Sequence, residues 1–142
     1  MLAQFTRTNI LLGEDNLTKL AGKHILIAGV GGVGGYVAEV IARAGVGKIT
    51  LIDNDVVDIT NLNRQLISTL ANVGELKVNE FAKRILAINP EVQLMTQAIF
   101  IDADNLADLL GDRHRHSLTK MAVPCFFPVQ FRSIPFTPHT YT

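Results

Sequence analysis

The chain has 142 residues, enough for one domain with a real core and too few for two comfortable ones. Nearly half the residues are apolar and the formal net charge is zero, which excludes a disordered chain for most of the length and gives no bulk electrostatic case for nucleic acid. A single cysteine, Cys125, excludes an intrachain disulfide and a cysteine metal cluster, and fits a reducing, cytoplasmic setting.

Polar residues interrupt the N-terminal MLAQFTRTNILLGEDN, so it reads as neither a signal peptide nor a membrane span. Residues 14–21 predict a short helix, with Leu17, Leu20 and Ala21 on one face and Gly22 as its stop. His24 to Gly29 is an apolar, β-branched run that predicts a buried parallel strand. Residues 33–44 follow with helical spacing at Val37, Val40, Ile41 and Ala44, and Gly45 ends them. Lys48 to Asp53 predicts the second strand. Strand, glycine turn, helix and strand within about 30 residues make one βαβ unit, which implies a parallel sheet.

Residues 55–68 are polar and loop-like, with a short helix expected from Asn61. Residues 74–88 carry the clearest helical stripe, Val78, Phe81, Ala82, Ile85 and Leu86, and Asn89-Pro90 ends it. Residues 91–98 suit a third strand and 104–110 a short helix. The composition then changes. Four of the five prolines, three of the four histidines and five of the nine aromatics fall in residues 112–142. The expected architecture is therefore an α/β, Rossmann-like parallel sheet with flanking helices, truncated after about three strands. Residues 1–111 form the nucleotide-binding domain and 112–142 an unmatched tail.

Three motifs carry chemistry. Gly29-Val30-Gly31-Gly32-Val33-Gly34 is a G-x-G-x-x-G between strand and helix, where glycine lets the backbone approach a phosphate and the helix N-terminus offers free N–H groups. Set against a glycine turn needed only for packing, its placement favours nucleotide binding through Gly29, Gly31, Gly32 and Gly34. Asp53 ends the second strand, 19 residues after Gly34, where a carboxylate accepts hydrogen bonds from ribose hydroxyls. These two features describe a dinucleotide-binding dehydrogenase equally well. The third is Asn61-Leu62-Asn63-Arg64-Gln65 with Lys77 thirteen residues after Arg64. A triphosphate carries more charge than a dinucleotide pyrophosphate and calls for cationic side chains. Arg64 can grip oxygens in a bidentate way and Lys77 acts as a point charge. A lone arginine or lysine is ordinarily a surface charge; here they form an ordered set.

The stretch GVGGVGGYVAEVIARAGVGKITLIDNDVVDITNLNRQL, followed by GELKVNEFAKRILAINPEV, closely resembles the ThiF/MoeB/HesA branch of the E1-like adenylating superfamily. Within it, the chain is most similar to the bacterial tRNA threonylcarbamoyladenosine dehydratases, over about residues 4–110. The resemblance implies that Gly31 and Gly34 line ATP, that Asp53 holds the ribose with Asp55 as the second acid of a D-x-D, and that Asn61, Arg64, Gln65 and Lys77 surround the triphosphate. It also implies a homodimer in which Arg7 reaches into the partner's ATP site, although a plain surface arginine is an equal reading. The implied reaction is attack of a carboxylate on the α-phosphate of ATP with Mg2+ sharing the charge. The implied substrate is the threonylcarbamoyl group of a tRNA adenosine, which then cyclises with loss of water.

Three alternatives stay open: an activator of a ubiquitin-like or sulfur-carrier protein, an NAD-dependent oxidoreductase domain, and an inactive truncated fragment. The family pattern continues into a metal-holding aspartate for which residues 112–142 offer no counterpart, so no metal ligand is assigned. A reading frame shifted near Gly111–Arg113, or a truncated gene, is the expectation, with adenylation crippled in consequence. Cys125, the pair His114 and His116, His139 and the cluster Phe126, Phe127 and Phe131 are read as tail residues rather than as sites.

Overall fold

In a computed structural model, residues 3–102, 104, 105 and 109 are described. The chain opens with a 3-10 turn at Ala3–Phe5, then α1 (Thr6–Leu12) and α2 (Glu14–Ala21). β1 (His24–Ala28), α3 (Gly32–Ala44), β2 (Lys48–Ile52), α4 (Lys77–Ile88) and β3 (Gln93–Gln97) follow, with 3-10 turns at Ile59–Asn61 and Leu70–Asn72 between β2 and α4.

The sheet is parallel with order β1-β2-β3. β2 is central, and its apolar run is buried on both faces, as expected of a strand flanked on each side in a parallel sheet. Ile27, Ile49 and Leu51 point to one face and form a single core with Ala38 and Ala42 of α3 and Val78, Phe81 and Ile85 of α4. Each large side chain fully withdrawn from water there contributes about 1.5–3 kcal/mol. The opposite face carries buried Thr50, whose hydroxyl lies 2.8 Å from His24 Nε2, and buried Ile52. This is the Rossmann-like α/β architecture, with three strands among the described residues.

Several expectations are corrected. The seven-residue α1 was not expected. Its contacts are chiefly with α2 and the turn before it, and Gly13 at φ 80° separates the two helices. Val40 stands 63% exposed. The buried face of α3 is the small-residue row Gly34, Ala38 and Ala42, supported by Val37 and Ile41. Helix and sheet approach closely there, and only small side chains fit. On α4, Leu86 is 44% exposed, so the stripe narrows to Val78, Phe81 and Ile85. That helix begins at Lys77 rather than 74, because Gly74 adopts φ 94° and Leu76 is extended, pairing with Val56 in an antiparallel bridge. Ala21 is exposed, unlike Leu17 and Leu20. The helix expected from Asn61 is a 3-10 turn that ends there. At the far end, the Leu109 amide donates to the Asn105 carbonyl at 3.0 Å, one helical bond inside the helix expected over 104–110. The tail residues singled out above, Cys125, the histidines and the phenylalanines among them, lie outside the described residues.

Candidate nucleotide site

The glycine turn joins β1 to α3. Gly29 sits at φ 85°, a conformation that side chains rarely adopt, and its amide donates to the Ile52 carbonyl at 2.8 Å. A Cβ on Gly34 would lie 1.8 Å from the Gly29 carbonyl oxygen, so the first turn of α3 can rest on the loop only without a side chain. Gly31 is the N-cap of α3 and supplies no side-chain acceptor, so the leading amides of a 13-residue helix are not capped from within. Gly32 has open space where its Cβ would be.

Asp53, just past β2, reaches back to this loop. Its Oδ2 accepts from the Val30 amide at 2.7 Å and its Oδ1 from the Asp55 amide at 2.8 Å. An ionised carboxylate has about four lone-pair positions, so two hydrogen bonds leave acceptor capacity for a sugar hydroxyl. Asp55 in turn meets Lys77 twice: its carbonyl accepts from the Lys77 amide at 3.0 Å and its Oδ2 from Nζ at 2.8 Å. The pairing of residues 55–57 with 74–77 brings them together, through Val57 N to Glu75 O and Gly74 N to Val57 O, both 2.8 Å. The glycine turn, Asp53, Asp55 and Lys77 thus form one continuous hydrogen-bonded chain. Lys77 is no surface charge: its side chain is 5% exposed.

The remaining residues sit on the turn after Asp58. Asp58 and Asn61 cap it reciprocally: the Asp58 side chain accepts from the Thr60 amide and Asn61 Oδ1 from the Asp58 amide. The Thr60 hydroxyl, 2.6 Å from Asp58 Oδ1, is the main reason the Asp58 carboxyl lies below the ordinary aspartate value; the Lys77 charge adds to the pull. Buried Asn61 accepts through its carbonyl from the amides of Arg64 and Gln65, at 3.1 and 2.9 Å. Arg64 is exposed, with Nη1 turned toward the Thr60 carbonyl and Asn63 Oδ1 at 2.9 and 3.0 Å. No hydrogen bond joins it to the Asp53 chain. Arg7 is exposed on α1 and has no hydrogen bond to these residues.

Sequence pattern singles out Gln65 but carries no signal for its burial, nor for Ser68 or Gly35. Gln65 Oε1 and Ser68 Oγ are buried with no hydrogen-bond partner among the described residues. An orphaned buried carboxamide in this motif fits a site that a polar ligand completes. Gly35 was passed over beside the motif, yet its Cβ would meet the Phe81 ring at 2.5 Å. Among the described residues no group of three or more His, Cys, Asp or Glu could hold a metal, and no helix is long and apolar enough to cross a membrane.

A parallel sheet in which a glycine turn, an uncapped helix N-terminus, an acid clasping that turn and a buried lysine are linked has the layout of the nucleotide-binding α/β folds. The ThiF family model matches residues 5–115, and the chain belongs to the ThiF family. Among its relatives, the tRNA threonylcarbamoyladenosine dehydratase of Bacillus subtilis is 46% identical over 100 residues, 70% of this chain and 39% of that protein. The Adenylyltransferase and sulfurtransferase UBA4 of Scheffersomyces stipitis is 37% identical over 94 residues, 66% of this chain and 21% of that one. The solved Escherichia coli tRNA N6-threonylcarbamoyladenosine dehydratase, TcdA, in complex with ATP, superposes with a TM-score of 0.74 at 44% identity, covering 75% of this chain and 44% of that one. The chain spans about two fifths of the length of the dehydratases it matches.

Proposed function

We propose that this chain is the ATP-binding part of an adenylating enzyme that acts on the threonylcarbamoyl group of a tRNA adenosine. The observation that carries the reading is the hydrogen-bonded run from the Val30 amide through Asp53 and Asp55 to Lys77. It links a carboxylate with acceptor capacity for a sugar hydroxyl, through Asp55, to a buried ammonium, an arrangement suited to a nucleotide with a long phosphate chain. The similarity to a protein solved with ATP supports the same ligand.

In the proposed reaction a substrate carboxylate oxygen attacks the α-phosphorus of ATP. The bond from that phosphorus to the β-bridging oxygen breaks, pyrophosphate leaves with the electron pair, and an acyl-adenylate remains. The adenosine side of the substrate then attacks the activated carbonyl and AMP leaves, closing a ring with net loss of water. The protein's part is alignment and charge neutralisation. Asp53 orients the ribose, the leading amides of α3 face the phosphates, and Lys77 and Arg64 neutralise them, with Asn61 and Gln65 beside them. Arg64 adopts this role by turning from the Thr60 carbonyl. Magnesium belongs to the reading as a cation carried by the phosphates, since Mg2+ ordinarily keeps several waters and takes few protein ligands; no residue is assigned to it. A homodimer with Arg7 reaching the partner's site, and a cytoplasmic location, are part of the same proposal.

The test is ATP binding by the chain beside Arg64→Ala and Lys77→Ala, followed by ATP–pyrophosphate exchange. Each substitution is expected to weaken ATP binding at least tenfold, and exchange is expected to depend on threonylcarbamoyl-modified tRNA. Exchange that depends instead on a carrier protein ending in Gly-Gly would replace the substrate assignment. ATP binding indifferent to both substitutions would remove the site.

A further inference from the structure

We propose that Asp55 is the positioning residue that aims the Lys77 ammonium at the outer phosphates of the nucleotide, an inference that rests on the ATP reading above. Lys77 runs through the interior, its side chain 5% exposed, and ends on a carboxylate that is 60% exposed. The buried partner is therefore the cation, and the group that brings it to the rim is the acid. An ammonium in such a place is costly without a counter-charge, and Asp55 Oδ2 supplies it at 2.8 Å. The lysine has three donors and Asp55 is the one hydrogen-bond partner of Nζ among the described residues, so two directions stay open for a second anion.

Asp55 is itself held at both ends of its backbone. Its amide donates to Asp53 Oδ1 and its carbonyl accepts from the Lys77 amide. Its position is consequently set by the same carboxylate that reaches the glycine turn. Sugar recognition and phosphate charge are registered to each other through this one residue, rather than through two independent loops. A surface ion pair serving stability alone would contribute little. This pair instead holds a buried charge, with donors to spare, on the hydrogen-bonded run that leads through Asp53 to the glycine turn.

The experiment titrates the full chain and its Asp55→Asn, Asp55→Glu, Lys77→Ala and Asp55→Asn/Lys77→Ala variants with ATP, AMP and adenosine. Asp55→Asn is expected to weaken ATP about tenfold while AMP and adenosine change less than twofold, because only ATP has phosphates beyond the first. Asp55→Glu keeps the charge and is expected to recover part of the loss. The double variant is expected to bind ATP no more weakly than Lys77→Ala alone. An equal fall for all three ligands, as misfolding or a sugar-binding role would give, overturns the proposal. So does unchanged or tighter ATP binding in Asp55→Asn, or additive losses in the double variant. Lys77→Ala weakening ATP while Asp55→Asn does not would sink this inference and leave the ATP reading standing. ATP binding indifferent to Lys77→Ala would sink this inference, and indifference to Arg64→Ala as well would sink the ATP reading with it.

Discussion

The ring of Phe81 on α4 occupies the space where a side chain on Gly35 of α3 would begin: a Cβ there would stand 2.5 Å from the ring's Cζ. That Cβ would also stand 3.2 Å from the Val30 carbonyl oxygen in the glycine turn. One glycine thus sets how closely α4 packs on α3 and how both sit behind the site. Alanine at an open helical position would gain about 1 kcal/mol over glycine. Overpacking a tight core costs about 1–3 kcal/mol. Since Phe81 is fully buried and boxed in, the clash should win. Gly35→Ala is expected to lose about 1–2 kcal/mol in urea unfolding, and adding Phe81→Leu should recover part of it.

Gly34→Ala should be more severe, because the obstacle is backbone. A Cβ 1.8 Å from the Gly29 carbonyl oxygen forces the turn itself to move. The expected outcome is loss of ATP binding by calorimetry together with a lowered melting temperature. Gly32→Ala, where an added Cβ meets open space, should leave the melting temperature nearly unchanged.

Asp53→Ala should destabilise the chain even without nucleotide. The Val30 amide, in a fully buried residue, would lose its acceptor. An orphaned buried donor costs about 1–3 kcal/mol. Asp53→Asn keeps one acceptor oxygen for two amides, and its melting temperature should fall between those of alanine and wild type.

Acid should weaken the α3–α4 contact. The Arg84 guanidinium beside Glu39, with Arg43 assisting, holds the Glu39 carboxyl below the ordinary glutamate value of 4.5; Lys83 and Asn72 do the same for Glu80. A depressed carboxylate contributes stability above its unfolded pKa and loses it as pH falls through the folded one. Stability is therefore expected to be flat above about pH 5 and to decline below 4.5. Glu39→Gln should flatten part of that acid limb, at a cost near neutral pH of about 1 kcal/mol or less, since Arg84 keeps partial access to water.

Much of the fold was legible because βαβ units repeat two short-range signals, the continuous apolar run of a central parallel strand and the helical stripe between strands. Helix ends at Ala21, Ala44 and Ile88 fell where glycine or Asn-Pro marks them. The failures share a cause. Val40 and Leu86 have the right spacing for burial, yet the sheet takes small residues from α3 and only part of the α4 stripe. Which apolar residue is covered depends on the partner surface, and spacing does not encode that. The start of α4 was misplaced because Glu75 and Leu76 have ordinary helical propensity, while the bridge to Val56 holds them extended.

Periodicity and turn chemistry act over a few residues, so the sequence alone carried the succession β1, α3, β2, α4, β3 and the glycine turn, and offered Asp53, Arg64 and Lys77 as candidate site residues. That Lys77 is buried and bound to Asp55, that Asp53 clasps the glycine turn and that Arg64 stands in solvent emerge from the folded chain and not from local pattern. The first two relations join residues 22 and 23 positions apart, and they exist only once the sheet and the 55–77 pairing have brought the backbone together.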